Sequence, residues 1–507
     1  VRYGKQVLGA LRQQGPAFFK PGNVRRNFDW KPHGPPAHPP LGNLLIGLVH
    51  HLFDLAPDDP RVASIVPARF APALAFGLLV LVVGLWATRA EGAVAGCVAA
   101  LAVVLVPRMF GHAHLAALDM ITTLFFVAAV LAVLEADRRG GRWWRFALAG
   151  AVWGLAMLVR IHGLLLVAPV VAWLVWRHGR RVAVPGLAWL TAGAATFFVG
   201  WPWLWISPWA HLRQFLGTAT GRQAIHVFYC GQVWDDAKVP WHYPLVMFLV
   251  TVPLGLLLLG GLGVWAKRRS VRSEPAYLLV AGTLVFVLLV FAVPGAPVYD
   301  GVRLFLMVFP LWAILAAVGA KWLIERVAWQ GVAEGFRVGA VLLFVALQGV
   351  GLLRYYPCEL SHYNLAVGGL WGAERLGFEV NYWGDAVPEW LLAEAAGRAP
   401  GEQILFGPNL ANFQASAVGS SSPALEEHQV ALVGWDAQRT RPGPFCRYGV
   451  FYHRKADLAA VPTEFWARAA VVEHRKQGVW VARLVELPGP WEAGGVGQVP
   501  SSVGGPR

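Results

Sequence analysis

The stretch FGHAHLAALDMITTLFF, residues 110–126, sets His112, His114 and Asp119 against a strongly apolar run. An ionisable group at the depth of Asp119 is costly in a bilayer and usually marks a functional position. A second such place is YDGVRLF, residues 299–305, where Asp300 and Arg303 stand at the mouth of another apolar run. Arg303 has two readings. Its stem can lie in lipid with its head in water, or its planar fork can pair with a phosphate. Arg160 and His162, in the short polar turn Arg160-Ile161-His162, carry the same two readings. In PAHPPLGNLLIGL, residues 36–48, Pro39 and Pro40 suit the first turn of a helix, so a helix should open near Leu41 with His38 at its mouth. A carboxylate able to take a proton, and cations able to stabilise a developing negative charge, thus recur at the ends of apolar segments.

The elements that must position these groups follow from composition. Of 507 residues, 56% are hydrophobic and only 14% charged, against about 25% charged in soluble domains. This is the composition of a polytopic membrane protein. The net charge of +14 comes from 43 Lys and Arg against 29 Asp and Glu. The basic residues gather in short loops between apolar runs, which reads as membrane topology and not as nucleic-acid binding. Cys97, Cys230, Cys358 and Cys446 form no C-x-x-C pair and no metal-ligand spacing, so neither a disulfide framework nor a metal is expected. No D-x-D, Walker loop, H-E-x-x-H or G-x-S-x-G occurs, which leaves P-loop, zincin and serine-hydrolase mechanisms without support.

Spans of about 20 apolar residues are expected at 63–87, 93–109, 115–136, 144–160, 163–176, 184–206, 243–266, 276–294, 304–324 and 337–354, ten in all. The loops 88–92, 137–143, 177–183, 267–275 and 325–336 then share one face. They hold Arg138, Arg139, Arg142, Arg177, Arg180, Arg181, Lys267, Arg268, Arg269 and Arg272, so that face is assigned to the cytoplasm. The long segments fall outside: residues 1–62 as a first loop with surface helices, the loop 207–242, and everything after 355. Loop 207–242, with Arg213, Arg222, His226, Tyr229, Trp234, Asp235, Asp236 and Lys238, can hold a sugar and an anionic group or serve as interfacial decoration. Alternating runs such as EQILFG, QVALVG, YGVFYH and AAVVEHRKQGVWVARLVEL read as strands, the last as a hairpin turning at Lys476-Gln477-Gly478. The division expected is therefore a loop at 1–62, a membrane core at 63–354, an α/β domain at 355–498 and a disordered tail at 499–507. The chain starts with Val1, and one further helix upstream of it is expected, to account for an outer N-terminus.

Several segments together resemble one family. HPPLGNLLI (38–46) resembles the HPPLGKLLI signature of protein O-mannosyltransferases. RFAPALAFGLLV (69–80), HLAALDMITTLFF (114–126) and AGAVWGLAMLVRIHGLLLVAP (149–169) resemble their following helices. VPWHYP (239–244) and YDGVRLFLMVFPLWAILAA (299–317) resemble later segments of the wider group, the GT-C glycosyltransferases of the mannosyltransferase and lipid A aminoarabinose-transferase kind. The resemblance covers about 40–370. It implies an all-α polytopic membrane domain with a small C-terminal α/β extracytoplasmic domain, in the plasma (inner) membrane with its site facing outward. It implies inverting transfer of a sugar from a polyprenyl-phosphate carrier to a protein, lipid or glycan acceptor, with no further cofactor, no metal and no nucleic acid. By the same resemblance Asp119 matches the L-L-D aspartate and is the candidate catalytic residue of this chain. Arg303 would meet the lipid phosphate, and His38, His114, Arg160, His162 and Asp300 would bind substrate.

The family's own base is the aspartate of an Asp-Glu pair, expected here upstream of Val1, with Asp29 or Asp119 as substitutes. The chain departs from the family at Asn43 and Arg160, where lysines stand, and at His114-Leu115, where Ser-Arg stands. A lipid-linked sugar transporter and a non-catalytic scaffold share the apolar core and buried charges, and are the rival readings.

Overall fold

Proline decides where the apolar runs bend. The computed structural model describes residues 1–28, 38–53, 65–217, 224–270, 272–326, 332–408, 412–435 and 446–488. Within these, six helical stretches are long and apolar enough to cross a membrane: Ile65–Glu91, Asp119–Arg138, Ile161–Gly200, Pro275–Ala292, Val308–Arg326 and Glu334–Tyr355. Two further spans arise if bent pairs are joined, Ala93–Val104 with Pro107–Ala113 at 68° and Tyr243–Thr251 with Leu254–Lys267 at 113°. Pro107 and Pro253 stand at the two breaks, where a missing N–H and the ring's bulk interrupt the helical ladder.

By length and composition the described residues thus offer six to eight candidate spans where ten were expected. Trp143–Val159 is a shorter apolar helix of 17 residues. The runs expected at 163–176 and 184–206 are joined through a 3-10 turn, Gly179–Val182, into one helical stretch.

The chain divides into two compact units. The first holds residues 1–386 together with 453–456 and 475–481, and the second holds 387–452, 457–474 and 482–507. The second unit carries most of a five-stranded sheet in the order β4-β3-β5-β7-β6. Its strands are β3 (Gln403–Gly407), β4 (Ala431–Gly434), β5 (Cys446–Tyr452), β6 (Ala470–Lys476) and β7 (Val479–Glu486). A two-stranded hairpin, β1 (His226–Tyr229) and β2 (Gln232–Asp235), lies in the first unit. β3 runs parallel to β4 and β5, while β5 and β7 are antiparallel. The β6–β7 turn falls where the sequence places it: Gln477 and Gly478 both take positive φ, the conformation of a tight two-residue hairpin turn. The Glu389–Arg398 helix packs Leu391, Leu392 and Ala395 into that unit's core with Ile404, Phe406 and Val450. The tail expected to be disordered lies outside the described residues.

In the first unit the arginine-bearing loops converge on one end of the helices. Arg138 donates to the Arg89 carbonyl at 3.1 Å, and Arg177 meets Asp137 at 3.1 Å. Glu91 takes Lys267 at 2.8 Å and Lys321 at 2.7 Å and accepts from the Tyr277 hydroxyl. Six helix ends are tied there.

At the other end, Pro40 opens the helix Pro40–Phe53. Gly42 lets that helix press onto its neighbours: a Cβ there would lie 2.6 Å from Leu118 Cδ2 and 3.1 Å from Val159 Cγ1. Leu118 and Val159 each precede a charged residue, Asp119 and Arg160.

Candidate functional site

Asp119 opens the helix Asp119–Arg138 and is 2% exposed. Arg160 follows the end of Trp143–Val159, where an extended backbone (φ −159°, ψ 153°) breaks the helix and turns the chain back. Its Nη1 donates to Asp119 Oδ1 at 2.5 Å. Arg303 Nε approaches both oxygens of the same carboxylate, at 3.1 and 3.0 Å. Arg303 reaches that position because Asp300 and Gly301 take φ of +53° and +66°, a tight reversal between Pro275–Ala292 and Val308–Arg326. Only a residue without a Cβ fits at 301, since a Cβ would sit 2.5 Å from Arg108 Nη1 and 3.0 Å from the Tyr382 ring. The reversal also brings Arg303 Nη1 to Asp300 Oδ2 at 2.9 Å. Asp300 Oδ1 in turn lies 3.1 Å from Arg454 Nη2.

A line of alternating charge results: Arg160, Asp119, Arg303, Asp300, Arg454. Trp383 and Tyr299 flank it, with the Arg303 guanidinium 4.7 and 5.7 Å from their ring centres. Burial works against the Arg303 charge, but Asp119 and Asp300 more than offset it, and its pKa is raised from the ordinary value.

Arg108 stands beside this line. It is 1% exposed, donates from Nε to the His362 carbonyl at 3.1 Å and stacks at 4.7 and 5.1 Å over Tyr363 and Tyr382. Its Nη2 has no hydrogen-bond partner, and it has no carboxylate partner among the described residues. His112, 3% exposed with Nδ1 unpartnered, lies within electrostatic reach of Asp119, Arg303, Arg108 and Asp300. His162 is buried with both ring nitrogens unpartnered, in reach of Arg160, Asp119, Arg303 and His38. Arg108, Arg160, Arg303 and Arg454 thus gather around Asp119 and Asp300.

Of the residues singled out in the sequence, Asp119, Arg160, Asp300 and Arg303 meet directly. His162 borders them, and half-buried His38 borders His162. His114 stands apart: its exposed ring pairs with the Phe110 carbonyl at 2.8 Å and packs on Phe110. Asp29, Trp30 and His33 of the first loop, and Arg222, lie outside the described residues. Arg108 and Arg454 were not singled out. An arginine inside the apolar run VLVPRMF is itself a signal, whereas HRKADL around Arg454 gives none. Among the described residues no three His, Cys, Asp or Glu side chains gather as a metal site would need.

Outside the spans, the first unit holds Glu379 and Glu359 among its buried carboxylates. Glu379, 2% exposed, accepts from the amides of Val380, Lys455 and Ala456 at 3.1, 2.6 and 2.9 Å. Burial pushes its pKa up to about 7, against those donors. Burial likewise raises Glu359.

Helices and ion network together define a polytopic membrane protein with a buried network of arginines and aspartates at one end of its spans. Residues 37–206 match the dolichyl-phosphate-mannose-protein mannosyltransferase family. That segment holds HPPLG, Asp119, Arg160 and His162, and there the resemblance to the protein mannosyltransferases holds. No curated protein matches the chain significantly. Among solved structures, the chain is similar to ArnT from Cupriavidus metallidurans bound to undecaprenyl phosphate, at 17% identity over 88% of this chain and 87% of that one, with a TM-score of 0.45. The apo form of that protein gives 16% over 95% and 92%, with a TM-score of 0.47. The oligosaccharyltransferase AglB from Archaeoglobus fulgidus, with an inhibitory peptide and a dolichol-phosphate, gives 13% over 89% and 65%, with a TM-score of 0.46.

Proposed function

We propose that this chain is an integral-membrane glycosyltransferase that moves a sugar from a polyprenyl-phosphate carrier to an acceptor on the outer face of the membrane. The observation that carries the reading is a buried cluster of arginines: Arg160 and Arg303 share Asp119, and Arg108 beside them has, among the described residues, no carboxylate partner. Charges buried to this degree need an anionic counterpart, and a lipid-borne phosphate supplies it. The match of residues 37–206 to the mannosyltransferase family supports the same carrier class. The arginine-rich loops gathered at the opposite end support an outward-facing site.

Transfer breaks the bond between the sugar's anomeric carbon and the carrier's phosphate oxygen. The phosphate leaves with the electron pair and gains charge, while the acceptor atom bonds to that carbon and gives up its proton, which the freed phosphate oxygen or water takes. Arg303 and Arg160 stabilise the charge that grows on the leaving phosphate. Asp119 is assigned to holding these two arginines in place. With both oxygens turned to guanidinium groups, it is poorly disposed to take the acceptor's proton. An inverting course, a hexose as the sugar and a cell-envelope acceptor remain parts of the proposal.

Membranes containing the protein, given a polyprenyl-phosphate-linked radiolabelled sugar, should move label into a water-soluble or lipid acceptor. A second reading, a transporter for a lipid-linked sugar, is favoured by the two bent helix pairs. Movement of the intact donor across vesicles, with no label leaving the carrier, would establish that reading in place of transfer.

A further inference from the structure

β5 ends at Tyr452, and the next four residues, 453–456, belong to the first compact unit with the arginine network. Their backbone is held there on both sides. Asn381 N–H donates to the His453 carbonyl at 3.1 Å, and the amides of Lys455 and Ala456 donate to Glu379. Between these anchors Arg454 makes a hydrogen bond and an ion pair. Its Nη1 donates to the Tyr382 carbonyl at 2.7 Å, and its Nη2 lies 3.1 Å from Asp300 Oδ1. The other oxygen of Asp300 faces Arg303 Nη1 at 2.9 Å. Asp300 is 8% exposed. Two guanidinium groups therefore divide one buried carboxylate, one oxygen each.

We infer that Arg454 is a positioning residue for the carrier-phosphate site, acting on Arg303 through Asp300. The inference rests on the reading of Arg303 as the cation that meets the phosphate. Coulomb attraction inside the protein is strong at these distances. If Arg454 were absent, Asp300 would turn wholly to Arg303, already paired with Asp119, and both carboxylates would quench the one guanidinium. Arg454 takes one Asp300 oxygen for itself. Arg303 stays bridged between Asp119 and Asp300, with part of its charge available to a third anion. A segment 150 residues beyond Arg303 in the chain thereby sets the strength of the anion site.

The test is binding of undecaprenyl phosphate to the purified full chain in detergent, titrated by native mass spectrometry. Arg454→Ala should weaken binding about tenfold, the scale of coupling within one ion network. Arg454→Lys should recover part of that loss, because an ammonium can reach Asp300 but cannot also hold the Tyr382 carbonyl in one plane. Arg454→Ala combined with Asp300→Asn should bind more tightly than Arg454→Ala alone, since the carboxylate that Arg454 offsets is then gone. A merely structural Arg454 would leave the double variant no better than Arg454→Ala. Size-exclusion profiles and melting curves report folding, and the lysine and double variants carry the test if Arg454→Ala does not fold. Wild-type affinity in Arg454→Ala, or no recovery in the double variant, overturns the inference alone. Failure of the wild-type protein to bind the lipid overturns the reading of the site and this inference with it.

Discussion

Arg160 donates to Asp119 across 2.5 Å, from the end of one helix to the first residue of another, while Arg303 meets both oxygens of that carboxylate. Asp119→Asn keeps the shape and removes the charge. Two buried guanidinium groups then lose their shared counter-ion, and breaking a buried pair this way costs about 3–5 kcal/mol. The variant should melt well below wild type in lipid-free detergent. Undecaprenyl phosphate should recover much of the difference, because the phosphate replaces the missing negative charge. A wild-type melting curve without lipid would refute the paired state of Asp119.

Arg303 bridges two different carboxylates with two different nitrogens, Nε to Asp119 and Nη1 to Asp300. A lysine has one ammonium and cannot span both. Arg303→Ala should weaken lipid-phosphate binding by on the order of 2–5 kcal/mol, and Arg303→Lys should restore only part of it. Equal affinity for the arginine and lysine proteins would mean that Arg303 merely reaches to water at the membrane surface.

Much of this arrangement is legible in the sequence, and the parts that are not share a physical cause. Pro40 starts its helix, the alternating runs become β3 to β7, and Gln477-Gly478 turns the last hairpin, because each depends on its own neighbours. The arginine-bearing loops can be grouped on one end from charge alone. Asp119, Arg160 and Arg303 stand at apolar-run ends, where a charge is conspicuous. The span count is less legible, because the runs at 163–176 and 184–206 join through Gly179–Val182, Trp143–Val159 is short, and Pro107 and Pro253 bend their runs. His114 lies close to Asp119 in sequence, but the short helix Pro107–Ala113 ends just before it, and the ring turns to Phe110. Arg454 is invisible from its surroundings, since its place is set by how the chain returns after β5.

Gly301 should tolerate no side chain. Its φ of +66° disfavours a Cβ by roughly 1–2 kcal/mol on backbone grounds, and the Cβ would also displace Arg108 and Tyr382. Gly301→Ala should lower the melting temperature and the affinity for undecaprenyl phosphate together. Gly77, in the helix Ile65–Glu91 with open space where a Cβ would go, is the control. Gly77→Ala should leave the melting temperature unchanged or slightly higher, as alanine favours helix. Equal behaviour of the two variants would remove the packing argument at 301.

Glu379 supplies a pH dependence with a definite sign. Its carboxyl is buried, and burial lifts its pKa to about 7 from the ordinary 4.5. The folded protein therefore holds a proton there through a range in which the unfolded chain has released it. By linkage the folded state binds more protons in that window, so stability falls as pH rises from the ordinary carboxylate range toward 7, and is flat with respect to this group above it. Glutamine cannot ionise, so Glu379→Gln should escape that fall. The melting temperature of Glu379→Gln relative to wild type should thus be higher at pH 8 than at pH 5, whatever the constant cost of presenting an NH2 to the backbone amides of Lys455 and Ala456. A difference that does not change between those pH values would show that Glu379 titrates in its ordinary range. Were the three amide donors to outweigh burial and hold the carboxylate charged, the pH dependence would lie below about 4.5 and the difference between pH 5 and pH 8 would again vanish.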